Sequence, residues 1–430
     1  MRRLSARTFR LAAMITASAA VAACGLANAT PTNSLLAGPS GTPITIGVSE
    51  PLSGPQQAQG FEADGQACLR GYELWASDVN SHGGLLGRPV RLKVLNDKGD
   101  IGLTKANYRT LIVHDHVDLT LAPFSSLLVA QAAGPVTRQY KYVLAAGQAG
   151  APAVYQLHDP YLFSTNVPVK QQMVPFATWV SNLPLGQRPL TAAYPYVNNP
   201  FAQPPVQAAQ RIMENHGIKT VYTTPGQGYN NLSASALRAD ARKVVARKPG
   251  IVVLGSVDVP TVQAFIQDFI AQNFNPKVFI AAAGPDQGQA FINAIGGPGN
   301  SIGLMVPNGW FGNYPDALSH VMVQDYIAKY GGTADAINAD VAESYSAGEL
   351  LAAAVTATRG VNQQSIANWL HAHTVQTVIG QVKFAADGEN TNALQSATIF
   401  QWQPNEQFVQ VLGKSPGNQQ IVNPKPPWGG

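Results

Sequence analysis

The sequence predicts an α/β fold of two doubly wound parallel-sheet domains, and three observations carry this. Short β-rich runs alternate with amphipathic helical stretches along most of the chain, a pattern that implies parallel strands with helices on both faces. The body is roughly 370 residues long, more than one hydrophobic core ordinarily takes. Only two cysteines occur in 430 residues, so large apolar cores and not disulfides must hold the fold.

Strands are expected at Ile44–Val48, Val90–Leu95, Val117–Leu121, Tyr142–Ala145, Thr191–Val197, Thr220–Thr223, Ile251–Gly255, Val278–Ala282 and Ile302–Val306. Helices are expected between them. In Gln66–Asn80, Cys68, Tyr72, Trp75 and Val79 recur at i, i+4, i+7 and i+11, which puts them on one face. Val262–Gln272 gathers Phe265, Ile266, Phe269 and Ile270 on one side. The run His82-Gly83-Gly84-Leu85-Leu86-Gly87-Arg88-Pro89 ends the first helix, with glycines suited to the positive φ of a helix stop. Doubly wound sheets bind ligands at the carboxyl ends of their strands. The turns after these strands are therefore where function is expected.

The first 23 residues read as an export signal. Arg2, Arg3, Arg7 and Arg10 precede the apolar run Leu11–Ala22, which is shorter than the ~20 apolar residues of a membrane span. The run closes on Val21-Ala22-Ala23-Cys24, which resembles a bacterial lipobox with Cys24 as the lipidated residue. The alternative is ordinary cleavage after Ala27 or Ala29. Residues 24–42 are expected to form a flexible stalk and residues 414–430, rich in Pro, Gly, Asn and Gln, a disordered tail. Four of the 28 basic residues precede Cys24, leaving 24 against 24 acidic ones. The basic pI thus belongs to the signal and gives no reason to expect a nucleic-acid surface.

Three motifs, in order, resemble the type 1 solute-binding proteins of ABC importers, especially the leucine/isoleucine/valine-binding group. They are Ile44-Thr45-Ile46-Gly47-Val48 with Pro51-Leu52-Ser53-Gly54-Pro55; Asp78-Val79-Asn80-Ser81-His82-Gly83-Gly84-Leu85-Leu86-Gly87-Arg88; and Thr377-Val378-Ile379-Gly380 with Lys383-Phe384 and Asp387-Gly388. The resemblance covers about residues 43 to 412. It implies two lobes joined by a three-segment hinge, with the ligand in the cleft between them. Crossings would lie near Ser164–Val167, Val306–Trp310 and Val375–Ile379. Lobe one would comprise 43–165 and 307–375, and lobe two 166–306 and 376–413. The implied partners are a small solute, the permease subunits of an importer and the membrane through the lipid anchor. The implied protein is a monomer that is no enzyme and needs no cofactor.

The resemblance also implies a site. Ala122-Pro123-Phe124-Ser125-Ser126 follows a strand and opens a helix, where N-cap hydroxyls and free N–H groups attract an anion. Ser126 is the first candidate for a ligand carboxylate, Ser125 the second, and a plain N-cap is the alternative. Gln148 and Ala149 follow the next strand and can complete these contacts. In the other lobe Phe201 is a candidate lid, or a core aromatic. Asp286, in Ala283-Gly284-Pro285-Asp286, is a candidate partner for an ammonium group, or a helix cap. Departures weaken a branched-chain amino acid assignment: Gln59 stands where the family often has an aromatic, Gly255-Ser256-Val257-Asp258 lacks the usual tyrosine, and Asp286 is shorter than the usual glutamate. An amide or urea-like solute, or a sensor of the same fold that does not transport, is the alternative.

No Gly-x-Ser-x-Gly elbow, phosphate loop, dinucleotide fingerprint or His-Glu-x-x-His helix occurs. His114-Asp115-His116 reads as a solvated helix end, because neighbouring helical residues do not share a face. Glu343-Ser344-Tyr345-Ser346 reads as part of a helix in which Tyr345 packs.

Overall fold

The computed structural model describes residues 38–54, 59–312, 314, 316–392, 397–413 and 420–429. The signal segment, Cys24 and most of the stalk lie outside the described residues, as do Pro55 and the Gln59 side chain.

The strands are β1 Ile44–Glu50, β2 Val90–Asn96, β3 Leu119–Leu121, β4 Leu144–Ala146, β5 Leu162–Ser164, β6 Thr191–Tyr194, β7 Lys219–Thr223, β8 Ile251–Leu254, β9 Val278–Ala281, β10 Leu304–Asn308, β11 Val375–Thr377, β12 Gly380–Val382, β13 Thr398–Trp402 and β14 Phe408–Leu412. A five-stranded sheet has the order β2-β1-β3-β4-β5 and is parallel throughout. A seven-stranded sheet has the order β14-β13-β10-β9-β8-β6-β7. Its strands β6 to β10 are parallel, while β13 and β14 close one edge antiparallel. Central strands such as β8 and β9 are buried along their whole length, because helices cover both faces of a parallel sheet.

Each expected strand is present, within a few residues at its ends. The first helix, Gln59–Ser81, buries the stripe the sequence marks, with Cys68, Tyr72 and Trp75 each 1% exposed. It packs on helix Ala339–Thr358 at very close range. A Cβ at Gly348 would stand 2.2 Å from the Trp75 ring, and one at Gly71 would stand 2.3 Å from the Val341 carbonyl oxygen. In the larger sheet's core Phe265 and Phe269 meet edge to face with centroids 6.0 Å apart. Their helix, Val259–Ala271, starts three residues earlier than periodicity suggests. Asp258 caps it by accepting the Thr261 N–H, and Pro260 fits its first turn.

The chain passes from the small sheet to the large one after β5 and returns after β10. The third passage comes later than Val375–Ile379. β11 and β12 form a hairpin, and Val375, Val382 and Phe384 pack in the small sheet's core with Ile366 and Leu370. The large sheet resumes only at Thr398.

The C-terminal tail, expected to be disordered over 414–430, is held in place from residue 420 to 429. Residues 420–429 lie against the large sheet, while 414–419 lie outside the described residues. Val422 exchanges hydrogen bonds with the Gln401 side chain, and the Trp428 indole donates to the Phe274 carbonyl at 2.8 Å. Lys425 sits 3.5 Å from the centre of the Trp428 ring and donates to Asn275 Oδ1. Its polar composition suggests disorder, but aromatic and paired groups hold it. Among the described residues no helix is long and apolar enough to cross a membrane.

Candidate functional site

The carboxyl ends of strands from both sheets open onto one cavity of about 640 Å³, counted out to its mouth. From the small sheet, β3 leads to Phe124, Ser125 and Ser126, β4 to Gln148, and β5 to Asn166. The helix after β1 contributes Asp64. From the large sheet, β6 leads to Asn199 and Phe201, β9 to Asp286 and Gln287, and β10 ends in Pro307 and Asn308. The first turns of helix Ala339–Thr358 add Asp340 and Glu343. This is where doubly wound sheets hold ligands.

The structure divides the two serines differently from the sequence reading, which puts Ser126 first. Ser126 Oγ accepts the Ala151 N–H at 3.2 Å and is occupied within the protein. Ser125 stands at the N-cap without bonding a helix N–H, and its buried Oγ has no partner. Both serines line the cavity, and of the two only Ser125 keeps an unpartnered hydroxyl among the described residues. Gln148 also lines it: its amide donates to Glu343 Oε2, which takes a second bond from Asn166 at 2.8 Å. Ala149 is not on the cavity wall. It is 0% exposed and its methyl packs in a small-sheet core with Val129 and Val154. Phe201 is half-buried on the wall, its N–H held by Asn199 Oδ1 at 2.9 Å. Asp286 lines the cavity and accepts the Gly284 N–H at 2.9 Å. The next helix, Gly288–Ala294, has Gln287 at its cap, so Asp286 is not a helix cap.

Residues 43–407 match the family model described as periplasmic binding protein. The chain belongs to the periplasmic binding protein family. This is a family of binding proteins and not of enzymes. Similar solved structures include the leucine-binding protein LivK of Thermotoga maritima, 15% identical with a TM-score of 0.71, over 89% of this chain and 99% of that one. A solute-binding protein of an ABC transporter from R. palustris, in complex with benzoate, is 16% identical with a TM-score of 0.70, over 89% and 99%. LivJ of Streptococcus pneumoniae, a branched-chain amino acid transporter substrate-binding protein in complex with isoleucine, is 16% identical with a TM-score of 0.69, over 86% and 100%. At such identities the likeness speaks for the type 1 periplasmic binding fold alone.

In this member of the family the cavity is acidic. Asp64, Asp286, Asp340 and Glu343 line it, and among the described residues no Lys, Arg or His does. Only Asp286 is legible in the sequence as a site residue. Asp340 and Glu343 are three apart at the start of a helix and so share a face, a spacing common on solvated helices and thus no signal by itself. Burial pushes Glu343 up to about 8, with Asp340 adding repulsion. Asp340 is raised to about 7 by burial and then by the charge of Asp286. Asp286 itself is raised to about 6 by burial. Asp64 is raised well above the usual carboxylate range by burial and then by the charges of Asp340 and Asp286. Behind the wall, Glu50 accepts the Phe124 N–H at 2.9 Å and holds the serine loop. No group of three or more His, Cys, Asp or Glu among the described residues is arranged to hold a metal ion.

Proposed function

We propose that the protein is the exported substrate-binding component of an ABC importer, tethered through Cys24, and that it closes two lobes on a small polar solute bearing an amine, an amino acid in the first instance. The observation that carries this reading is the cavity itself. Its walls come from the strand ends of both sheets, so a solute there touches both at once. Only such a solute favours a closed form, because a ligand with equal affinity for open and closed states shifts nothing.

Within this reading the lobes follow the sheets, and the hinge runs through the passages after β5, after β10 and between Phe384 and Thr398. Ser125 and Gln148 hold the polar end of the solute, Asp286 faces its amine and Phe201 covers it. Binding needs no cofactor.

The test is calorimetric titration of the purified protein with the common amino acids, paired with small-angle scattering. Saturable binding with a smaller radius of gyration is the expected result. Binding with no compaction would remove the closing mechanism. The tether is tested separately: Cys24→Ala should release the protein from membranes, and full retention of the variant would count against it.

A further inference from the structure

We propose that this cavity takes a solute of net positive charge, carried on two nitrogen centres joined by an apolar spacer, of the diamine, guanidino-amine or basic amino acid class. The inference rests on the solute-binding reading and narrows it. Net-neutral amino acids and aromatic acids, the kinds of ligand seen in similar proteins, fit this cavity poorly.

Charge balance is the first argument. Asp64, Asp286, Asp340 and Glu343 converge on the cavity, with no cationic side chain among the described lining residues to offset them. Buried charges are ordinarily paired, because taking an unpaired one out of water is costly. The protein answers in part with amides. Gln287 donates to Asp64 at 2.7 Å, Asn338 to Asp340 at 3.0 Å and Asn166 to Glu343 at 2.8 Å. Amides relieve a carboxylate without neutralising it. A lone carboxylate opposite a helix start would suit a zwitterion; four carboxylates, part-protonated in the unliganded protein, can take up more positive charge than one ammonium carries.

Placement is the second argument. Asp340 and Glu343 lie on one helix of the small-sheet side and Asp64 on its neighbour, while Asp286 follows β9 of the large sheet. Positive centres between them are gripped from both sides, which is what closure requires. The same lining includes Phe124, Phe201, Val257 and Ala339, apolar surface suited to a methylene spacer and to a cation beside an aromatic face. The third argument is the Ser125 hydroxyl, buried on the wall and unpartnered, which can accept a bond from an N–H group. Burial raises all four carboxylates, so a bound dication should displace protons as it enters.

The test uses the full-length protein at pH 7.5, with thermal shift and calorimetry against putrescine, agmatine, L-arginine, L-leucine, acetamide and benzoate. We expect at least one of the first three to raise the melting midpoint and to bind at least tenfold tighter than L-leucine. Its heat should vary with the ionisation enthalpy of the buffer, as proton release demands. Asp340→Asn and Glu343→Gln should each weaken it at least tenfold while keeping or raising the midpoint of the unliganded protein; Asp64→Asn serves where either variant folds poorly. Tighter binding of L-leucine, acetamide or benzoate overturns the charge class and leaves solute binding standing. Dication binding untouched by the three variants overturns the placement. Silence from all six probes counts against both readings.

Discussion

Gln287 Nε2 donates to Asp64 Oδ1 at 2.7 Å, tying the turn after β9 of the large sheet to the first helix of the small-sheet side. Gln287 Oε1 accepts from Asn338 at 2.7 Å in the same stroke. One side chain therefore bridges the cavity twice, and under the proposed hinged closure both bonds break when the walls part. Gln287→Ala should weaken solute binding by about 1–2 kcal/mol, since two hydrogen bonds, one to a carboxylate, disappear from the closed form only. Calorimetry on the variant measures this. Affinity equal to that of the parent would show that the bridge does not contribute to closure.

The two serines should separate binding from stability. Ser126 Oγ holds the Ala151 N–H inside the small-sheet side, whereas Ser125 Oγ has no partner among the described residues. Ser126→Ala leaves a buried N–H unsatisfied and should cost about 1–2 kcal/mol of folding stability. Ser125→Ala should leave the urea midpoint in place and weaken solute binding by about 1 kcal/mol. The reverse pattern, with Ser126 governing affinity, would restore the order that the sequence alone suggests.

That reversal marks the limit of what the sequence discloses. Strand positions and the serine turn follow from the alternation of strands and helices and from the family-like motifs, because parallel strands declare themselves as short apolar runs between helices. Which hydroxyl is free depends on Ala151, 25 positions away in the chain, and no local pattern carries that. Asp64, Asp340 and Glu343 escape notice for the same reason. Each sits on a helix whose pattern is also that of an exposed face, and only the packing of the two helices aims them inward. The tail misleads differently: Pro, Gly and Asn suggest disorder, yet Trp428 and Lys425 find partners on Phe274 and Asn275.

Removing that tail should destabilise the fold. Val422 satisfies both ends of the buried Gln401 amide. A chain ending at Gly413 leaves that amide without these bonds and uncovers the surface under Trp428. A loss of about 2–4 kcal/mol is expected from the two lost hydrogen bonds and lost apolar burial together. Urea denaturation measures it, and an unchanged midpoint would make the tail an ornament of the surface.

Stability of the unliganded protein should fall as pH rises. Asp286, Asp340 and Glu343 titrate near 6, 7 and 8 when folded, above ordinary values of 3.8 and 4.5. Between those ranges the native state holds protons that the unfolded chain has released, so the slope of stability with pH is negative. The contribution is intact below about pH 4 and is lost as pH passes through 6 to 8. For Asp286 alone it is on the order of 3 kcal/mol. Urea midpoints at pH 5 and pH 8 test the sign, and Asp286→Asn should flatten the dependence. A steeper slope in that variant would contradict the assignment.

The spacing of the carboxylates rests on a contact that glycine alone permits. Helix Gln59–Ser81 carries Asp64, helix Ala339–Thr358 carries Asp340 and Glu343, and the two approach closely at Gly71 and Gly348. At Gly348 a methyl group would meet the Trp75 ring at 2.2 Å, and Trp75 is only 1% exposed, with no room to retreat. Gly348→Ala must therefore push the helices apart, at a cost of about 1–3 kcal/mol typical of overpacking. Because the shift also separates Asp64 from Asp340, solute affinity should drop with stability in this variant. A surface change such as Gln289→Ala should alter neither. Urea denaturation and calorimetry on both proteins give the answer. Lost stability with intact affinity would mean that the carboxylates keep their spacing by some means other than this helix contact.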